Sequence, residues 1–260
     1  MHLCRRAWLL VWVCTLCYAQ KPEYDFYSDF RAWAQQLRRA ERSVPPNQIL
    51  ERYSTKLRTD GVADTEVQRR LTLLKTSRNQ LEDDYWNRVF TGGTRKYNTA
   101  PNAFLTEIVE GRKPGTALDY GMGDGRNALF LAKMGWQVAG FDPAAEAVAL
   151  AQRRAKELGL KLETKSVRDS EYDFGHERFD LVLFSWTMSE PALIDKVVQS
   201  LKPGGLVVME CGADWVGRNG MLKLFDALQI VRYEIVLAKS DFFERREMDV
   251  LRLVARKPGS

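Results

Sequence analysis

The chain has 260 residues, with 39 lysines and arginines against 34 aspartates and glutamates, a formal charge of +5 and 45% apolar side chains. That length and apolar share suffice for one substantial core with an appendage, and so mild a basic excess is not the charge footprint of a nucleic-acid binder. Of the four cysteines only Cys211 lies beyond residue 17, which leaves no internal disulfide for the rest of the chain. No Cys/His cluster has metal-ligand spacing, and the two histidines, His2 and His176, offer no evident base.

In chain order, Arg5 and Arg6 precede an apolar run from Ala7 to Ala19, and Gln20-Lys21-Pro22 restores polarity. A basic end, a short apolar core and a small residue at Ala19 predict a cleaved secretory signal over residues 1–19. The run is shorter than the roughly 20 residues that span a bilayer comfortably; an uncleaved anchor holding the chain near a membrane is the alternative. Residues 20–90 are poor in glycine and rich in Arg, Gln, Glu and Leu. They predict helices over Tyr24–Ala40, Pro46–Thr59 and Thr65–Phe90, the last opening on a Thr65/Gln68 capping box. Val67, Leu71, Leu74, Leu81 and Tyr85 recur at helical steps on one face. Arg38, Arg39, Arg69 and Arg70 read as a solvated face rather than as phosphate contacts. The block is expected to form a helical collar or lid over a domain spanning residues 91–260, joined to it by a mobile loop through Gly92, Gly93 and Pro101.

Ala117-Leu118-Asp119-Tyr120-Gly121-Met122-Gly123-Asp124-Gly125-Arg126-Asn127 is the most informative stretch. An apolar strand runs through three glycines into a helix, the form of a nucleotide-binding turn. A dinucleotide site prefers G-x-G-x-x-G under a pyrophosphate. Here the third glycine comes one residue early, and Asp119 would repel a pyrophosphate but suit a cationic ligand. Farther on stand Gln137-Val138-Ala139-Gly140-Phe141-Asp142, a strand ending in an acid; Leu160–Thr164 with its exit Ser166-Val167-Arg168-Asp169-Ser170; Arg178–Ser185; and Leu201-Lys202-Pro203-Gly204-Gly205 leading into Leu206–Glu210.

These five motifs, in this order, resemble the class I S-adenosylmethionine (SAM) methyltransferases from about Tyr97 to the C-terminus. The segment Pro101-Asn102-Ala103-Phe104-Leu105 and the run Gly125-Arg126-Asn127-Ala128 are similar to the tellurite-resistance and thiopurine branch; Met122 departs from it where cysteine is usual. The resemblance implies a Rossmann-like, seven-stranded, mostly parallel α/β sheet ending in an antiparallel strand pair, with the helical extension before it. It implies S-adenosyl-L-methionine as cofactor, held by Asp119, Gly121, Gly123, Gly125, Arg126 and Asn127, by Asp142 at the ribose hydroxyls and Asp169 near the adenine. Tyr97 either covers the cofactor or packs the first helix of the domain.

Methyl transfer asks the protein to align donor and acceptor and exclude water; a base matters only where the acceptor must lose a proton. The acceptor is expected beyond the carboxyl ends of the strands, against Trp186, Glu190, Trp215 and Phe242. Glu210 and Asp214 are the candidate proton acceptors, although either carboxylate could instead hold Arg218. The sequence therefore reads as a methyltransferase for a small nucleophile. The alternatives are a macromolecular or lipid methyltransferase docking through the collar, and a non-catalytic SAM-binding envelope protein. The signal points to export or tethering, whereas SAM dependence points to the cytoplasm.

Overall fold

The computed structural model describes residues 22–41, 44–92, 97–215, 219–242 and 247–259; the signal expected over residues 1–19 lies outside them. Strands β1 (Thr116–Tyr120), β2 (Gln137–Phe141), β3 (Leu162–Lys165), β4 (Phe179–Ser185), β5 (Leu201–Gly212), β6 (Gln229–Lys239) and β7 (Glu247–Arg256) form one sheet in the order β3-β2-β1-β4-β5-β7-β6. β1 through β5 pair in parallel, and β7 runs antiparallel to both β5 and β6. The seven-stranded Rossmann-like sheet with its antiparallel end is thus the expected one. Chain order steps outward from β1 to β3, then returns to place β4 on the other side of β1. That reversal opens a crevice at the carboxyl ends of β1 and β4, where ligands bind in such sheets.

The parallel strands read as apolar runs because both faces are covered. One face packs Leu118, Phe141, Phe184, Met209 and Leu253; the other packs Ala117, Val138, Leu183, Val208 and Val254 against α5 (Ala103–Val109) and α6 (Arg126–Lys133). Helix α7 (Ala145–Glu157) follows β2 and buries Ala147, Val148, Ala151 and Ala155.

Before the sheet come α1 (Pro22–Ala40), α2 (Pro46–Thr59), α3 (Asp64–Thr76) and α4 (Arg78–Thr91). The single helix expected over Thr65–Phe90 is broken at Ser77, whose backbone (φ −128°, ψ 18°) leaves the helical region. A straight helix of that length would hold its ends roughly 40 Å apart. The break lets Val67 and Leu74 join Phe26, Tyr27 and Tyr53 in a helical core while Phe90 reaches the sheet. The expected capping box is absent: α3 begins at Asp64 after Ala63, with no side-chain cap, so Thr65 lies inside the first turn. Its acids, Asp64 and Glu66, still complement the helix dipole.

Helix α4 joins the two layers. Asn87 Oδ1 accepts the Glu146 N–H at the start of α7 at 2.9 Å, satisfying a donor that the helix itself leaves open. Asp83 pairs with Arg168 in the loop after β3. From below, Glu82 accepts hydrogen bonds from Tyr27 and Arg31 of α1 and from Trp86 Nε1 at 2.8 Å.

Candidate cofactor and acceptor site

The turn after β1 is left-handed at Gly121, Gly123 and Gly125, with φ of 64°, 52° and 79°. All three glycines are fixed by space as well: a Cβ at Gly121 would stand 2.8 Å from Thr187 Oγ1. A Cβ at Gly125 would stand 2.7 Å from Ala151 Cβ, and one at Gly123 would run into the Phe90 ring. Asp119 closes the turn from beneath: its Oδ2 accepts the Ala128 N–H at 3.0 Å, tying β1 to the first turn of α6. Burial pushes its carboxyl up to about 7 against the pull of Arg126 and the Ala128 hydrogen bond, with Asp142 and Asp124 adding to the rise. Asp142, at the end of β2, accepts Gly123 N at 3.0 Å and Ala144 N at 2.9 Å. It too is raised by burial, to about 6, against those two hydrogen bonds, and the charge of Asp83 raises it further.

Asp169 is brought to the same end of the sheet. Tyr120, the last residue of β1, donates its hydroxyl to Asp169 Oδ2 at 2.6 Å. Tyr97 is buried, and its hydroxyl donates to Asp124 Oδ2 at 2.7 Å, the carboxylate that also pairs with Arg154 of α7.

Arg126 and Asn127 act on loops. Arg126 donates to Ala100 O at 2.9 Å, Ser185 Oγ at 3.2 Å and Asp241 Oδ2 at 2.9 Å; Asn127 Oδ1 accepts Asn102 N at 2.8 Å. Asn98 donates its N–H to Phe242 O at 3.0 Å and its amide to Asp241 Oδ1 at 3.1 Å. The segment expected to be mobile is therefore pinned over residues 97–102, because each turn of its backbone meets a buried polar partner; residues 93–96 lie outside the description. Asn102 extends this net to Glu210 Oε1 at 2.7 Å, and Arg252 Nε reaches Glu210 Oε2 at 2.8 Å. Both oxygens of the buried Glu210 are thus engaged, which corrects its expected place as a free proton acceptor: it is the buried anion that holds Asn102 and Arg252. Asp214 is exposed just past β5.

Aromatic rings cover the crevice. Phe90 of α4 lies edge-on to Tyr97 at 5.3 Å between centroids, and Phe242 stands 5.4 Å from Tyr97 and 6.1 Å from Phe90. Trp86 stacks on Phe90 at 5.7 Å. Trp186, directly after β4, has a left-handed backbone (φ 58°), uncommon for a large side chain. Its N–H bonds Glu210 O at 2.8 Å and its ring meets Trp215 edge-on at 5.9 Å. Trp215 and Glu190 stand at the exposed rim. A cavity of about 550 Å³ lies at the opposite, amino end of β1 to β4, between Trp136, Lys161 and Arg178. It contains none of the candidate cofactor or acceptor residues.

The turn residues, Asp142, Asp169 and Tyr97 therefore come together, Trp186 with Trp215 and Phe242 lie beside them, and the Glu210 carboxylate is taken up by Asn102 and Arg252. Sequence reasoning missed Asp83, Trp86 and Phe90, which read as ordinary residues of a collar helix, and Asp241, which read as loop. The i, i+4 pair of aromatics at Trp86 and Phe90 near the helix end was the available signal.

A switch-point crevice with a G-x-G-x-G turn, an acid closing the first strand and another closing the second is the architecture of a methyltransferase domain. Residues 117–205 match the methyltransferase domain family, and the chain carries that domain. Curated relatives include the ubiquinone biosynthesis O-methyltransferase of Nitrobacter winogradskyi, 33% identical over 124 residues (46% of this chain, 44% of the relative). The protein-L-isoaspartate O-methyltransferase of Xylella fastidiosa is 29% identical over 110 residues (42% of this chain, 51% of the relative). The chain spans about half the length of these relatives. SAM-dependent methyltransferases of known structure share the fold. Among the solved structures, TehB from Haemophilus influenzae aligns with a TM-score of 0.51 at 20% identity, over 68% of this chain and 67% of its own. A methyltransferase domain of this fold implies S-adenosylmethionine as its cofactor, and the residues fit it: a left-handed glycine turn, and buried carboxylates at the ends of adjacent strands.

Proposed function

We propose that this chain transfers the methyl group of S-adenosylmethionine to a small nucleophile with an apolar body. The observation that carries the reading is the aromatic cluster of Phe90, Tyr97, Trp186 and Phe242, which meets the glycine turn through Phe90 at Gly123 and Tyr97 at Asp124; it suits an apolar acceptor and keeps water from the reacting atoms. When bound, the cofactor supplies a methyl on a sulfonium, transferred in line to the acceptor with the S–CH₃ electron pair left on sulfur.

The chain's own part is binding, orientation and exclusion of water. Asp142 would hold the ribose hydroxyls and Asp169 the adenine amino group, beside the backbone of the glycine turn. Asp119, buried beneath the turn, would give the cationic half a partner by yielding the proton that burial lets it keep. Arg126 and Asn127 hold the loops that Tyr97 and Phe242 close with. Trp186, Trp215 and Glu190 face the acceptor, and Asp214 is the acid placed to take its proton when it carries one. Residues 20–90 serve as the lid. A thiol or other soft chalcogen nucleophile is the first acceptor class to try.

The similarity to a protein-L-isoaspartate O-methyltransferase favours a second reading, a protein carboxylate as acceptor. Calorimetry of S-adenosylhomocysteine on the full chain, with Asp142→Ala beside it, tests the cofactor site. Micromolar binding weakened by about 1–3 kcal/mol in the variant is expected from loss of hydrogen bonds to a charged group; a folded chain that binds none of it refutes the assignment. Turnover on thiols against isoaspartyl peptides then separates the two acceptors, and binding without any turnover marks a silent SAM-binding protein.

A further inference from the structure

Asp83 lies on α4, on the stretch of that helix that also carries Asn87 and Phe90 to the start of α7 and the glycine turn. One of its oxygens, Oδ2, pairs with Arg168, the residue before Asp169. The other, Oδ1, is wholly buried and has no hydrogen-bond partner among the described residues. A buried carboxylate oxygen without a donor is destabilising, and such atoms in a folded protein call for an explanation.

The surroundings supply one. Asp83 stands one turn before Asn87, whose Oδ1 accepts the Glu146 N–H four residues beyond Asp142, and the charge of Asp83 raises the Asp142 carboxyl. A buried carboxylate oxygen without a donor, beside a second acid, is satisfied when hydroxyl donors come between the two. Asp142 already spends its oxygens on Gly123 N and Ala144 N, each of which leaves a further lone pair free to accept. A vicinal diol has two donors on neighbouring carbons, and so can satisfy both acids at once.

We infer that Asp83 is a cofactor-binding residue, which with Asp142 brackets the two ribose hydroxyls of the adenosyl group. The inference rests on the proposed cofactor site and extends it: the N-terminal helices contribute a direct ligand to the ribose, and Arg168 positions that ligand.

The test is a ligand-by-residue cycle on the full chain, read by calorimetry with S-adenosylhomocysteine and its 2′,3′-dideoxy analogue. Asp83→Ala is expected to weaken S-adenosylhomocysteine five- to twenty-fold while leaving the dideoxy analogue within two-fold. Asp83→Asn keeps the shape and an acceptor oxygen; it covers the case in which the alanine variant fails to fold, and is expected to weaken the natural ligand at least two-fold and the analogue not at all. Equal weakening of both ligands, or of neither, overturns the inference. Binding by the unaltered chain that Asp142→Ala weakens and Asp83→Ala does not would leave the proposed function standing without Asp83. Absence of binding by the folded, unaltered chain would instead overturn the cofactor assignment itself.

Discussion

Replacing Asp119 by asparagine should remove a pH dependence that the wild-type chain carries between pH 4 and 7. Burial lifts this carboxyl from 3.8 to about 7 in the folded chain. Below pH 4 it is protonated in both folded and unfolded states. Between 4 and 7 the unfolded chain has lost the proton and the folded chain keeps it, so stability falls as pH rises through that window and levels off above it. At 1.36 kcal/mol per unit, a shift of this size amounts to about 4 kcal/mol. Asparagine has no proton to lose, and its carbonyl can still accept the Ala128 N–H that Asp119 Oδ2 takes at 3.0 Å. Urea denaturation of both proteins at half-unit steps from pH 4 to 8 reads the difference directly. Asp142 titrates in both and largely cancels. The variant should gain on the wild type by about 4 kcal/mol across the window and hold that lead above pH 7. A difference that stays flat from pH 4 to 8 would show an ordinary, ionised carboxylate and refute the reasoning.

Gly123→Ala combines a left-handed backbone with a collision against Phe90 and should destabilise by about 2–4 kcal/mol. In a Phe90→Ala background, where the ring is gone, only the backbone part of roughly 1 kcal/mol should remain; additive losses in urea unfolding would show that the two do not touch. Arg252→Ala strips the buried Glu210 of its cation and should destabilise by roughly 3–5 kcal/mol. Adding Glu210→Gln to that variant should restore part of the loss, because the orphaned charge disappears while the amide can still accept from Asn102; a double variant less stable than the single one would count against Glu210 as the buried anion.

The sheet was legible because its signals are local and strong. β1, β2 and β4 are apolar runs, the first closed by a glycine turn and the second by an acid, and left-handed glycines in G-x-G-x-G leave little choice of backbone. Asp142 could be placed by its position at a strand end, and Asp119 by its distance from the first glycine. What could not be read depends on contacts between distant segments. Val67, Leu71, Leu74, Leu81 and Tyr85 keep one helical period across Ser77, so the break in the third predicted helix left no trace in the pattern. Glu210 sits at a strand end as a catalytic acid would, and only the approach of Asn102 and Arg252, each far away in sequence, assigns its oxygens. Asp83 and Phe90 look like any charged and any apolar helix residue until α4 is laid across α7 and the turn.

That placement of α4 bears on how the chain unfolds. Leu81 and Tyr85 face the helical core with Phe26 and Tyr27, whereas Trp86 and Phe90 belong to the aromatic cover with Tyr97, Trp186 and Phe242. One helix thus supplies side chains to both cores, and Asn87 and Asp83 fasten it to α7 and to the loop after β3. Neither layer can open without exposing the large apolar surface of the other, since burying such side chains is worth about 1.5–3 kcal/mol each. The helices and the sheet should therefore melt as one cooperative unit. In urea, the far-ultraviolet signal, dominated by helix, and the fluorescence of tryptophans spread over both layers should follow a single coincident transition. S-adenosylhomocysteine should move both probes together to higher urea, because a ligand that stabilises the crevice stabilises whatever unfolds with it. Separate transitions, with the helical signal lost first and the fluorescence of Trp186 and Trp215 retained, would show that α4 rests on the sheet as a detachable cover.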